Sequence, residues 1–374
     1  MEIFVLTVAG VAGLVVGSFL NVVIWRLPRG EMMGRKRSHC PSCDAMIRWY
    51  DNLPVVSWLF LRGRCRQCTA RISARYPLVE ALTGVLFVLA AHENLEDLAT
   101  AGIVAAFLAA LVAISFIDLD HRIIPDKITK PGMLVFVALA PLSALAARDL
   151  VPGKPVLSAW LSAGLGVLVG AGVVFTIRAV GSFLLKKEAM GLGDVKLMGL
   201  IGGVVGWLHA LYALGLGCFA GAIIGGVMFA VGKRRPIRCE LRARAKDLDA
   251  SFDRVRVRDD RVEVRGAPAV EPGTAVRLHV VLPAAKILED ADAELDLRAT
   301  VARSAGDVLT LEVREASETD RERLAFFAMS YRYIPFGPFL AIGGALSALF
   351  GTHVHWFMTK GWPEFIRSLV AGGT

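Results

Sequence analysis

Runs of about 20 apolar residues recur along this chain, each long enough to cross a hydrocarbon layer of roughly 30 Å as a helix. Lipid offers the backbone no hydrogen-bond partner, so a spanning segment is either a helix or part of a closed barrel. The alternating pattern of barrel strands is absent from these runs. With 55% hydrophobic residues over 374 positions, the chain is also more apolar than a soluble domain needs to fill its core. The reading is an α-helical polytopic membrane protein with about eight spans, near 3–24, 77–92, 99–117, 128–147, 157–180, 195–208, 210–232 and 335–357. The second and sixth are short, and the sixth meets the seventh through only Trp207-Leu208-His209, so a re-entrant segment lowers the count to seven or six. The first run lacks a basic n-region and an A-x-A cleavage site, and reads as a retained helix.

The net charge of +8 raises the question of nucleic acid, but basic residues in a membrane protein gather in cytoplasmic loops for topological reasons. Segment 26–76 shows this bias, with Arg26, Arg29, Arg35, Lys36, Arg37, Arg48, Arg62, Arg64, Arg66, Arg71 and Arg75 against Glu31, Asp44 and Asp51. That loop is therefore cytoplasmic, and no nucleic-acid partner is expected. Alternating from it places 118–127, 186–194 and 233–238 inside, and both termini outside.

The division expected is a first helix (1–25), a cytoplasmic Cys-rich basic loop (26–76), a transmembrane core (77–232), an inserted cytoplasmic β-domain (233–330), and a last helix with its tail (331–374). The insert is charged and alternates with period two in Arg254-Val255-Arg256-Val257-Arg258, Val262-Glu263-Val264, Val276-Arg277-Leu278-His279-Val280 and Leu295-Asp296-Leu297. Such alternation marks half-buried strands. Turn signals at Asp259-Asp260, Pro272-Gly273 and Gly306-Asp307 separate them, giving four to six strands.

In the basic loop, Cys40, Cys43, Cys65 and Cys68 form C-x2-C-x21-C-x2-C. Each C-x2-C turn can point both sulfurs at one centre, and four thiolates close a tetrahedron around Zn²⁺. Free thiols or disulfides are the alternatives, and a reducing cytoplasm disfavours disulfides. Four protein ligands make the zinc structural rather than catalytic. Cys218 and Cys239 have no partner at metal spacing.

The second constellation is acidic. Asp118, Asp120 and Asp126 follow directly on the third span, and Gly191-Leu192-Gly193-Asp194 opens the sixth, so both groups fall on the same membrane side. An ionisable residue at a membrane boundary costs free energy and is a functional candidate by default. Asp194 as a helix N-cap, and the Asp120–Asp126 stretch as a solvated loop, are the plain alternatives. Glycines at 191 and 193 favour the functional one, because they let the backbone approach a partner closely. Two carboxylates about 3 Å apart share a proton, so that one acts as base on a water while the other polarises a carbonyl. That is aspartic-protease chemistry, and Asp118 and Asp194 are its catalytic candidates.

These residues, with Gly17-Ser18-Phe19-Leu20-Asn21, Arg26-Leu27-Pro28, Asp51-Asn52-Leu53-Pro54, Ser57-Trp58-Leu59, Arg75-Tyr76-Pro77, Glu80, Ile124-Pro125-Asp126 and Val195-Lys196-Leu197, resemble the bacterial type IV prepilin peptidases. Those are bifunctional leader peptidases and N-methyltransferases of pilus and type II secretion systems. The resemblance implies prepilin or pseudopilin substrates, an inner-membrane location, Asp118 and Asp194 as catalytic pair with Asp120 as rival for the first place, and Gly191, Gly193, Asp120, Asp126 and Lys196 in support. It also implies S-adenosylmethionine as methyl donor, associated with the Cys-rich loop. No G-x-G-x-x-G behind a strand reads independently as a nucleotide site.

The insert departs from the family. Arg234 and Arg238 form an R-x-x-x-R resembling a PilZ-type cyclic-di-GMP module, but the second motif of such modules, D-x-S-x-x-G, is missing. Docking of a pilus or secretion assembly protein is the preferred role for it. The rival functions are a proton-coupled transporter, for which mid-span acids and an internal repeat are lacking, and a membrane anchor for a regulatory β-domain.

Overall fold

In the computed structural model of the chain, residues 1–30, 38–40, 42–143, 145, 154–186, 190–231, 240–245, 248–252, 255–258, 261–265, 270–282, 293–305, 308–318, 320, 335–361 and 364 are described. They divide into two compact units, one of residues 1–222 and 336–374, the other of 223–335.

The first unit is helical. Helix α1 (Glu2–Arg26) carries Gly13 and Gly17 on the face that meets α3 (Arg75–Glu93). A methyl group on Gly13 would sit 2.8 Å from the Cα of Gly84, and one on Gly17 would sit 2.7 Å from the Cα of Glu80. Small residues spaced along one face let two backbones approach where no hydrophobic force drives them together. The rest of α1 leaves Ile3, Phe4, Val8, Val11, Val15 and Phe19 exposed, as a lipid-facing surface requires. A short helix α2 (Val56–Phe60) lies in the loop between α1 and α3.

Helix α4 (Leu98–His121) is the centre of the unit, with Phe107, Leu108, Ile114 and Ile117 sealed from solvent. Asp97 caps it, accepting from the amides of Ala99 and Thr100 at 3.1 Å. Arg122 ends it in the left-handed region (φ 56°), returning its N–H to the Asp118 carbonyl at 2.9 Å. Pro125 then separates it from α5 (Asp126–Leu139). At 14 residues, α5 spans only about 21 Å, and Pro131 interrupts its hydrogen bonding. Helix α6 (Pro155–Leu185) crosses α7 (Leu192–Val231) so closely that a Cβ on Gly166 would collide with the Gly202 carbonyl.

The 40 residues of α7 would reach about 60 Å if straight, twice a hydrocarbon layer. Gly206 breaks it with φ 77° and ψ 169°, a conformation open to glycine. The sixth and seventh spans expected at 195–208 and 210–232 are thus the two arms of α7, and the break falls just before the expected junction. Helix α8 (Gly337–Leu349) and the brief α9 (Gly351–Trp356) replace the expected last span by a pair bent by 103°. Among the described residues, five helices are long and apolar enough to cross a membrane, or six with the bent pair counted as one, beside the eight, seven or six spans expected.

The second unit is one antiparallel sheet of seven strands, where four to six were expected. The strands are β1 (Glu240–Ala245), β2 (Leu248–Phe252), β3 (Val255–Arg258), β4 (Arg261–Arg265), β5 (Ala275–Leu282), β6 (Ala293–Ala305) and β7 (Val308–Glu315), in the order β2-β1-β5-β6-β7-β4-β3. Period two puts Val262, Val264, Leu278, Val280, Leu295, Leu297, Leu309 and Leu311 into one buried cluster. Of the expected turns, Pro272-Gly273 is seen, with Gly273 at φ 90°. The turns at 259–260 and 306–307, the R-x-x-x-R at 234–238 and Cys239 lie outside the described residues.

Candidate active site

Asp118 sits in the last turn of α4, 4% exposed. Asp194 lies in the first turn of α7, which starts at Leu192, so Asp194 is inside the helix rather than capping it. The helix N-terminus favours a carboxylate there. The two acids are close enough to interact electrostatically. What permits this is Gly193, because a Cβ at that position would come within 2.9 Å of the Ile124 Cβ in the turn following α4. Gly191 is less constrained, the nearest contact to its would-be Cβ being the backbone nitrogen of Gly193 at 3.8 Å.

Asp120 goes elsewhere. Its carboxylate pairs with the Arg75 guanidinium at the start of α3, while the buried Asp118 is the rival that interacts electrostatically with Asp194. Asp126 pairs with Lys130 at 2.6 Å and Lys196 at 2.5 Å. Since Lys196 follows Asp194 by two residues, this bond ties the first turn of α7 to the first turn of α5 and steadies the arrangement of both. A third group reaches the pair. The backbone N–H of Gly337, at the start of α8, donates to the Asp118 carboxylate, a contact that sequence reasoning missed. An apolar cavity of about 620 Å³ between α5 and α6, lined by Met133, Leu134 and Val167, does not include the carboxylates.

The four cysteines form a second centre, their Sγ atoms all within 4.8 Å of one another. The two C-x2-C segments are near copies. Cys40 donates its N–H to the Ala45 carbonyl at 2.9 Å and Cys65 donates to Ala70 at 2.9 Å. Asp44 and Thr69 take equivalent positive φ angles of 55° and 56°. Amides of Ser42 and Cys43 pull the Cys40 thiol down to about 6. Those of Cys68 and Gln67 lower Cys65 in the same way. The Ala45 amide also pulls on Cys43, but hydrogen bonds to Cys68, Cys40 and Cys65, together with burial, outweigh it and push that thiol up to about 12. Four sulfurs this close repel once ionised unless a cation sits among them, so the donor set suits a metal ion.

Several signature residues prove to be fasteners for this loop. Asp51 takes a forked pair of hydrogen bonds from Arg66, which hold its carboxyl below the usual range. Ser57 donates to the Tyr50 carbonyl at 2.8 Å and accepts from the Leu53 amide at 3.0 Å. Trp58 donates to the Ile72 carbonyl at 3.2 Å and covers Gly63, which stands at φ 66°. Val55 occupies a strained positive-φ γ-turn (φ 61°, ψ −49°), closed by Val56 N–H to the Pro54 carbonyl at 2.6 Å. The buried Glu80 of α3 accepts the Val55 N–H at 2.7 Å and holds that turn against the helices.

Comparison with known proteins places these features in company. Residues 11–94 match the family model described as the bacterial peptidase A24 N-terminal domain, and residues 105–226 match that of the type IV leader peptidase family. A prepilin leader peptidase/N-methyltransferase of Myxococcus xanthus is 41% identical over 60% of this chain and 64% of its own length. A type 4 prepilin-like proteins leader peptide-processing enzyme of Escherichia coli is 42% identical over 53% of this chain and 76% of its own. A prepilin leader peptidase/N-methyltransferase of Aeromonas hydrophila is 37% identical over 57% and 77%. The chain thus spans a little under two thirds of the Myxococcus protein and about three quarters of the other two. Both family matches end before the seven-stranded sheet begins.

Proposed function

Because the chain belongs to the type IV leader peptidase family, we propose that it is a membrane aspartic endopeptidase that removes the leader peptide from prepilins or pseudopilins at the cytoplasmic face of a bacterial inner membrane. The observation that carries this is the juxtaposition of Asp118 and Asp194 at the adjoining ends of α4 and α7. One carboxylate takes a proton from water, and the water oxygen attacks the scissile carbonyl. The other acid, protonated, hydrogen-bonds the carbonyl oxygen as charge develops on it. Collapse of the tetrahedral adduct breaks the C–N bond, and the departing amine gains a proton from the pair. Arg75 is engaged by Asp120 and Lys196 by Asp126, so neither of those cations is committed to the pair, and Arg122 is the cation whose charge acts on Asp118.

Cys40, Cys43, Cys65 and Cys68 hold one Zn²⁺ as a structural ion, which fixes the fold of the cytoplasmic loop. The relatives' name extends to this chain a second activity, transfer of a methyl group from S-adenosylmethionine to the amine that cleavage frees. A purified preparation incubated with a prepilin-like peptide and S-adenosylmethionine tests both at once by mass spectrometry. The expected product has lost its leader and gained one methyl group; an uncut peptide contradicts the assignment.

A further inference from the structure

The helix that follows the β-domain reaches back to the acid that ends α4. A Cβ built on Gly337 would fall inside contact distance of an Asp118 carboxylate oxygen, with Cγ of Asp118 3.2 Å away and Cδ1 of Ile124 at 3.3 Å. The Gly337 N–H donates to that carboxylate, and Pro338, with no N–H of its own, occupies the first turn of α8. Helix α8 has little freedom to withdraw. Gly217 of α7 lies under its Phe339 carbonyl, where a Cβ would be 2.9 Å away, and a Cβ on Gly343 would collide with the Ala213 carbonyl. Farther along, His209 bonds the Gly351 carbonyl at 3.1 Å, fastening the start of α9 to α7 just past the Gly206 break.

We propose that Gly337 is a positioning residue of the peptidase site: its amide and its missing side chain together fix the Asp118 carboxylate toward Asp194. An unanchored carboxylate on the last turn of a helix rotates about two side-chain bonds, and a carboxylate used as a proton carrier must present one oxygen to water and the other to its partner. One backbone donor removes that freedom without adding charge. Glycine is required because the donor and the carboxylate are too close for any side chain between them. The site is therefore assembled from three segments, the ends of α4, α7 and α8, and the third of these lies beyond the β-domain in the chain. This rests on Asp118 being a catalytic acid, and the experiment separates the two ideas.

A double-mutant cycle on purified protein measures the contact without reference to activity. Gly337→Ala should lower the melting temperature by about 5 °C or more. In an Asp118→Ala background the same substitution should cost close to nothing, because the space the new methyl needs has been vacated. Equal costs in both backgrounds overturn the proposal, and if Gly337→Ala alone cannot be recovered folded, recovery of the double variant supports it. For the folded Gly337→Ala protein, kcat should fall about a hundredfold with KM unchanged, since misplacing a reacting group by an ångström carries a penalty of that order. Gly344→Ala, whose Cβ would press on the Ile201 side chain at 3.1 Å, is the packing control and should lose stability but keep cleavage. A Gly337→Ala enzyme cutting within twofold of the wild type, or a Gly344→Ala enzyme that folds and cuts no better than Gly337→Ala, sinks the positioning role. Cleavage by Asp118→Ala would instead overturn the assignment of Asp118 as a catalytic acid, and the melting cycle would still judge the contact.

Discussion

Each cysteine pair aims its sulfurs at one centre because the turn between them is held by its own amides. Cys40 and Cys65 donate to carbonyls five residues on, and Asp44 and Thr69 accept the positive φ that closes each turn. Protein purified without chelator should carry about one zinc per chain, and the variant with Cys40, Cys43, Cys65 and Cys68 all changed to serine should carry none. Loss of the ion should also open segment 38–73 to protease, since metal affinity is folding free energy for so small a loop. A metal-free wild type would refute the assignment. The cysteines were legible in the sequence because ligand spacing is local. Glu80 was visible only as a signature residue, and its task, holding the amide of a strained Val55, appears only when α3 meets the loop. Gly337 gave no signal, because the contact it makes is with an acid in another helix, remote in the chain.

Hydropathy located the helices well but not their lengths and breaks. It registers that a segment is apolar but not that Pro131 and a length of 14 residues shorten α5, that Gly206 breaks α7, or that α8 and α9 meet at 103°. The strands were read from alternating valine and leucine, which located β3, β4, β5 and β6. In β1 the inward positions include alanines such as Ala243, whose side chains give the alternation little contrast. The buried cluster of the sheet, from Leu241 to Val313, is drawn from its own strands and from Val270 between β4 and β5. We therefore expect the inserted β-domain, residues 240–325, to be dispensable for the chemistry. Replacing it with a Gly/Ser linker that returns the chain to Phe336 and Gly337 should leave peptide cleavage in detergent within about threefold of the intact protein, while changing any partner docking or regulation. A folded, zinc-loaded linker protein with no cleavage would assign the domain a part in the site. Such a result would also be expected if the linker left α8 unseated, so the melting cycle at Gly337 should be repeated on it.

The helical unit draws the ends of separate helices to one place by glycines, and the sheet follows α7 and precedes α8 in the chain. Family signature and composition led to the family that the comparisons show, and Asp118 and Asp194 were named from the spans they adjoin, with Asp120 left as rival. The fold adds the reason for preferring Asp118, since Arg75 engages Asp120, and Gly193 lets α7 close on the turn after α4. The most direct test of the account is the rate at which folded Asp118→Ala and Asp194→Ala proteins cut a prepilin-like peptide in detergent, beside Asp120→Ala and Asp126→Ala. A pair that shares one proton fails when either member is removed, so both of the first two should lose at least about a thousandfold in rate, and the other two no more than about tenfold. Cleavage by the Asp194→Ala protein at near the wild-type rate would contradict the mechanism, while loss in Asp120→Ala with retention in Asp118→Ala would move the first acid of the pair to Asp120.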